Sequence, residues 1–167
     1  MIIVVMGVCS CGKTCIGRLL AKNMGVRFYD ADDFHSSENV EKMKAQISLN
    51  DNDRLPWLMK MAEQMPKWES DGGAVLACSA LKESYRQILK WGGDVRFVYL
   101  KGPRELILER MKNRKGHFMP ATLLDSQLAT IEEPVDAVVA DIAKSPHEVV
   151  RYILEKLPSG DTDKPRT

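Results

Sequence analysis

The eight residues Gly7-Val8-Cys9-Ser10-Cys11-Gly12-Lys13-Thr14 satisfy the pattern G-x-x-x-x-G-K-[ST] in full, and no other stretch constrains the fold as tightly. Ahead of them runs Ile2-Ile3-Val4-Val5-Met6, a continuous apolar segment rich in β-branched residues, which reads as a strand covered on both faces. Behind them Ile16, Leu19, Leu20 and Met24 recur at helical spacing, and Gly25 is placed to end that helix. Strand, glycine-containing loop and amphipathic helix in this order make a phosphate cradle. Backbone N–H groups of the loop point inward at phosphate oxygens, and the helix adds its positive N-terminal end. On this reading Gly7, Val8, Cys9, Ser10, Cys11, Gly12, Lys13 and Thr14 hold ATP. Lys13 reaches the β- and γ-phosphates, and the Thr14 hydroxyl binds Mg²⁺. Outside that setting the same residues would be a turn with an idle lysine.

Within the loop, Ser10 fits only with a negative φ or some tolerated strain. A thiol beside Lys13 at a helix N-terminus can be acidified and oxidise readily, but inert packing of three small residues is the simpler expectation for Cys9, Cys11 and Cys15. Cys-x-Cys without a second pair or a nearby histidine does not read as a metal site.

The remaining chain supports a single α/β domain. Residues 26–29, 74–78, 95–100 and 137–140 read as further strands. Helices are expected between them, one over 104–113 and another opening at Ser145-Pro146-His147-Glu148, a capping box with proline at the first helical position. Residues 49–70 also read as helical, with Pro66 expected to kink or end the helix. Alternating strands and helices predict a five-stranded parallel sheet in a three-layer α/β/α arrangement, spanning 1–157, with a polar, disordered tail over 158–167. Such a sheet binds ligands at the carboxyl ends of its strands.

Charge and cysteine usage narrow the setting. A net charge of +1 supplies no global field toward nucleic acid or membrane. The opening apolar run is too short for a membrane span or signal peptide. The four cysteines, three of them crowded near the loop, suit free thiols in a reducing cytoplasm.

At the sheet's ligand edge, Asp30-Ala31-Asp32 follows strand two, so the two carboxylates alternate in direction. One can serve Mg²⁺ through water and the other can orient a hydroxyl and take its proton. Strand three ends in Ala77-Cys78-Ser79 with no aspartate, which strengthens Asp30 as the metal carboxylate and leaves Asp32 for the acceptor. Away from a phosphate loop the pair would read as a solvated acidic turn. Arg54 is a candidate for an anionic acceptor. Lys82 and Arg86, four apart, form either a fork on one helix face or a solvated surface. Arg110, Lys112, Arg114 and Lys115 surround a segment with Gly116 and Pro120, read as a flap that carries positive charge to ATP (Arg110) and to the transition state (Arg114). His35 and His117 are acceptor candidates, although lone histidines are more often surface or packing residues.

With these residues in view, the chain resembles gluconate kinase of the short P-loop, shikimate-kinase-like type. The likeness covers roughly residues 2–155. It runs through Phe28-Tyr29-Asp30-Ala31-Asp32-Asp33-Phe34-His35, Asn39-Val40-Glu41-Lys42-Met43, Leu49-Asn50-Asp51-Asn52-Asp53-Arg54-Leu55-Pro56-Trp57, Cys78-Ser79-Ala80-Leu81-Lys82, Tyr99-Leu100-Lys101-Gly102 and Arg114-Lys115-Gly116-His117-Phe118-Met119. The resemblance implies a P-loop NTPase of adenylate-kinase-like fold, with an acceptor-binding segment near 33–70 and a lid near 112–122. It implies phosphorylation of D-gluconate by ATP and a homodimer. The departures are Cys9, Ser10 and Cys11 in the loop, and Pro66. Shikimate, a nucleotide or dephospho-coenzyme A remain rival acceptors, as does a weakly active ATP-binding protein. A guanine-reading Asn-Lys-x-Asp segment, needed for a GTPase-type switch, does not occur.

Overall fold

A computed structural model describes residues 1–114 and 120–159. Its sheet has five parallel strands: β1 (Ile2–Met6), β2 (Arg27–Asp30), β3 (Ala74–Ala77), β4 (Val95–Lys101) and β5 (Ala137–Asp141), in the spatial order β2-β3-β1-β4-β5. The helices are α1 (Lys13–Met24), α2 (Ser37–Lys44), α3 (Asp51–Ser70), α4 (Glu83–Lys90), α5 (Arg104–Lys112), α6 (Ala121–Thr130) and α7 (Pro146–Lys156). A 3₁₀ turn spans Ala31–Phe34.

The central strand explains the two helical layers. All five residues of β1 are buried, because its alternating side chains feed two different cores. Ile3 and Val5 pack with Ile16, Leu20 and Ile153 on the side of α1 and α7. Ile2, Val4 and Met6 pack with Leu58, Met61, Met65 and Leu89 on the side of α3 and α4. This is the three-layer arrangement expected from the sequence.

Local signals place the helix ends. Gly25 ends α1 in the left-handed region at φ 67°, with its N–H donating to the carbonyls of Ala21 and Lys22. Asn50 and Asp53 form a capping box that starts α3, and Ser145 and Glu148 form the one that starts α7.

Two expectations change. Of the two outcomes expected at Pro66, ending the helix is ruled out: α3 continues through it, and through Pro56, to Ser70. A proline at position 66 removes the N–H that would bond the carbonyl of Ala62. Gly92 packs its bare backbone against that oxygen, where a Cβ would stand 2.7 Å away, while Met65 and Trp68 stay buried on either side. Proline's own ring faces solvent. Tertiary packing therefore holds the helix where propensity would break it. The second correction concerns Lys82, which precedes α4 as its extended N-cap residue (φ −100°) and so shares no helix face with Arg86.

Candidate active site

The phosphate loop joins β1 to α1, as its sequence requires. Gly7 has φ 148° and Gly12 has φ 103°. Gly7 also needs its bare Cα for space: a Cβ would meet Cys11 Sγ at 2.7 Å and the Leu100 carbonyl at 3.0 Å. Val8 and Cys11 are buried beneath the loop. Lys13 Nζ donates to the carbonyls of Gly7 (3.1 Å) and Val8 (2.8 Å), so the ammonium lies over the cradle. The Gly7 N–H donates to the Ser79 carbonyl, fastening the loop to the exit of β3.

Ser10 resolves the sequence ambiguity on the strained side, with φ 60°. Its Oγ is buried without a hydrogen-bond partner among the described residues. Cys11 and Cys78 are buried, Cys9 is half-buried and Cys15 is exposed. Burial pushes the Cys9 and Cys11 thiols up, outweighing Lys13, and Cys78 is pushed up to about 12 by complete burial. All four cysteines are free.

The carboxylate pair meets the loop at its far end. Asp30 Oδ2 accepts from the Thr14 hydroxyl at 3.4 Å, and Oδ1 accepts from the Asp32 N–H at 3.0 Å. That second bond caps the 3₁₀ turn. Asp32 is open to solvent at its tip. Even so, crowding by protein atoms, and then the charge of Asp30, push its carboxyl above the usual aspartate range, against the pull of Lys13. A carboxyl raised in this way is a better proton acceptor when ionised. Thr14 and Asp30 offer hard oxygen donors beside the phosphate cradle, the donor chemistry that suits Mg²⁺ completed by phosphate and water. Among the described residues no group of three or more His, Cys, Asp or Glu gathers as a metal cage.

The described residues expected on the acceptor side lie at the 3₁₀ turn, on α3 and at the start of α4. Arg54 Nη1 donates to the Tyr85 hydroxyl at 3.0 Å. That hydroxyl in turn donates to Asp51 Oδ1 at 2.5 Å, and Lys82 Nζ pairs with the same carboxylate at 3.1 Å. The Tyr85 and Lys82 bonds hold the Asp51 carboxyl below the usual range. His35 stacks on Trp57 with ring centroids 4.3 Å apart and planes 11° apart. Burial, and then Arg54, lower its pKa.

The expected Lys82–Arg86 fork is absent. Arg86 is only 2% exposed, and its guanidinium donates to the carbonyls of Ala80, Leu81 and Glu132 and to Glu83 Oε2. It ties the loop after β3 to the segment after α6, so its charge is committed to the scaffold rather than to an acceptor. Arg110 Nη2 donates to the Ile142 carbonyl at 2.6 Å, between β5 and α7. Arg114 is exposed at the end of α5, close enough for its charge to act on Cys9. His117, with the rest of residues 115–119 in the flap expected near 112–122, lies outside the described residues.

Sequence reasoning missed three site-supporting groups. Gln127 on α6 accepts the Cys9 N–H at 2.7 Å, across 118 residues of chain, and no local pattern announces it. Asn39 is one of two buried polar or charged side chains among the described residues, but it sits on a largely polar helix where it does not stand out. Tyr85 was visible only as the neighbour of Arg86.

A parallel sheet with a phosphate loop after β1 and an aspartate pair after β2 defines a P-loop kinase. The shikimate kinase family model matches residues 9–158. A probable gluconokinase of Xenopus tropicalis is 48% identical over 151 residues, covering 80% of each chain. The gluconokinase of Arabidopsis thaliana is 42% identical over 172 residues, covering 92% of this chain and 90% of the other. The crystal structure of a gluconokinase from Sinorhizobium meliloti 1021 superposes with a TM-score of 0.82 at 42% identity, over 92% of this chain and 89% of that one. The chain belongs to the shikimate kinase family and, within it, to the gluconokinases.

Proposed function

We propose that this enzyme transfers the γ-phosphoryl group of ATP to a hydroxyl of D-gluconate, giving ADP and 6-phospho-D-gluconate. The observation that carries the reading is the Thr14–Asp30 hydrogen bond, which sets the carboxylate pair directly across from the phosphate loop. The relatives named gluconokinase support gluconate as the acceptor.

In this reading the loop and Lys13 hold the phosphates, and Arg110 and Arg114 add positive charge on the ATP side. Thr14 and Asp30 would hold Mg²⁺, which would supply neutralising charge to the phosphate oxygens. Asp32 orients the attacking hydroxyl and receives its proton. Arg54 pairs with the gluconate carboxylate, while Lys82 and His35 border the same space and His117 belongs with them by resemblance. Arg86 keeps only a scaffold role. The proposal extends to a homodimer, supported by the exposed apolar residues Met43, Leu55 and Met59 on α2 and α3. It extends as well to a cytoplasmic setting, supported by four free thiols.

The test is ADP release measured with D-gluconate, shikimate, a nucleoside monophosphate, dephospho-coenzyme A and no acceptor. Gluconate is expected to give the highest kcat/KM. A preference for another acceptor, or ATP hydrolysis indifferent to any sugar acid, would overturn the assignment.

A further inference from the structure

The inference concerns how His35 is prepared for an acceptor, and it rests on the sugar-acid reading of the same site. An imidazole can present either ring nitrogen as its donor, and the neighbours decide which. Here the decision can be traced to one main-chain carbonyl. Asn39 Nδ2 donates to the carbonyl of Asp53 at 2.9 Å. A carbonyl only accepts, so this contact fixes the orientation of the Asn39 amide, leaving its nitrogen, not its oxygen, toward Asp53. The same nitrogen lies 3.4 Å from His35 Nδ1. An amide nitrogen only donates, so Nδ1 must carry the lone pair and Nε2 the hydrogen.

Every part of this chain is held. Asn39 is buried at 6% exposure, and its own N–H donates to Ser36 Oγ at 3.2 Å, the cap that starts α2. Asp53 is anchored by the capping box of α3 and by Lys42 at 2.8 Å. The His35 ring is fixed in plane by its stack on Trp57, whose Nε1 donates to the Ala31 carbonyl at 2.7 Å. Partial burial, and then the nearby Arg54 charge, disfavour protonation of the ring.

We infer that Asn39 is a positioning residue: it locks His35 as the Nε2–H tautomer, so that the ring offers a hydrogen-bond donor to a hydroxyl oxygen of the sugar-acid acceptor. A polyol presents several oxygens that both donate and accept. The arrangement complements them, because the carboxylate of Asp32 can only accept when ionised, and His35 supplies a donor three residues later.

The experiment is ¹⁵N–¹H NMR of the imidazole rings in the full chain. The sequence has three histidines, and His35→Gln identifies the signals of the one in question. The expected spectrum at neutral pH shows His35 protonated at Nε2 and bare at Nδ1. Asn39→Asp replaces the donor with an acceptor, and should turn the ring to the Nδ1–H form. It should also lower kcat/KM for gluconate about tenfold, the effect of one lost hydrogen bond, with KM for ATP little changed. Should Asn39→Asp fail to fold, His35→Gln and His35→Asn replace it, since the glutamine amide nitrogen stands near Nε2 and the asparagine nitrogen near Nδ1. Gln is then expected to retain about tenfold more kcat/KM than Asn. A wild-type ring protonated at Nδ1 overturns the inference whatever the acceptor proves to be, because that measurement needs no substrate. Equal activity of the two His35 variants overturns the donor role. An Nε2–H ring in an enzyme indifferent to gluconate would instead overturn the acceptor assignment.

Discussion

The two sides of the cleft are made of different material. On the ATP side the ligand-facing surface is backbone: a loop of small residues seated on buried Val8 and Cys11, with Lys13 Nζ held by loop carbonyls. On the acceptor side it is side chains, each aimed by another side chain, as in Arg54–Tyr85–Asp51–Lys82 and His35–Asn39. A backbone cradle recognises what every phosphate shares and tolerates Cys9, Ser10 and Cys11, because side chains contribute little to it. A surface of mutually aimed side chains recognises one acceptor, and it changes with any member of the network.

The largest expected effect breaks the ATP side at the lysine of its loop. Lys13→Ala removes the charge that meets the transferring phosphoryl group. Turnover should fall by about 10³-fold, as when a major charge-stabilising donor is lost, while the melting temperature changes little because Nζ bonds only two loop carbonyls. Steady-state kinetics on folded variant checks it. Near-normal turnover would mean that the loop is not the catalytic phosphate site.

A smaller effect tests the aimed side chains. Arg54→Leu should lower kcat/KM for gluconate relative to an uncharged polyol by about 10- to 100-fold, the effect of a charged hydrogen bond worth about 1.5–3 kcal/mol. Tyr85→Phe keeps the ring but frees Arg54 and Asp51 together, and should show a weaker loss of the same ratio. It should also alter acid stability. Asp51 has a folded pKa below its unfolded value, so the stability it contributes is complete above the ordinary aspartate range near ~4 and is lost as pH falls through the lower folded value. In Tyr85→Phe the main cause of that depression is gone, and the acid-side decline should flatten. Thermal melts across the acid range measure it, and a decline identical to wild type would show that the tyrosine does not hold Asp51.

The same contrast governs what could be read from the sequence. The ATP side was legible because its determinants are consecutive: a buried strand, eight loop residues and an amphipathic helix carry the whole geometry. Asp30 and Asp32 were legible because strand order places them at the ligand edge. The acceptor network was not. Arg86 and Lys82 looked alike by spacing, but Arg86 meets the carbonyls of Ala80 and Leu81 at a main-chain turn where Ala80 has φ 43°, and that of Glu132 from beyond α6, while Lys82 lies outside the helix. Burial of a charge is set by carbonyls from distant segments, Glu132 among them, and spacing does not record it. Pro66 misled for a related reason: its missing hydrogen bond is local, but the packing of Met65, Trp68 and Gly92 that keeps the helix whole is not.

The smallest effect asks whether the backbone cradle is as indifferent to side chains as the comparison holds. Ser10 combines a left-handed φ of 60° with a buried hydroxyl that has no partner among the described residues. Each feature is unfavourable alone. The left-handed conformation costs a residue with a Cβ roughly 1 kcal/mol, and an unsatisfied buried hydroxyl costs about 1–3 kcal/mol. The pair Ser10→Gly and Ser10→Ala separates them. Glycine removes both penalties but adds freedom to the unfolded chain, which returns about 0.5–1 kcal/mol of the gain. Alanine keeps the strain and removes only the hydroxyl. If the hydroxyl serves nothing, both variants should melt a few degrees above wild type, about 2–4 °C for each kcal/mol in a chain of this length, with KM for ATP unchanged. If the hydroxyl instead donates to a phosphate oxygen, Ser10→Ala should still raise the melting temperature of the free enzyme. It should then lose part of the added stability that ATP gives wild type, because ligand stabilisation follows affinity. Melting curves with and without ATP for the three proteins distinguish the cases, and a selective loss in Ser10→Ala would show that one side chain has joined the backbone in holding phosphate.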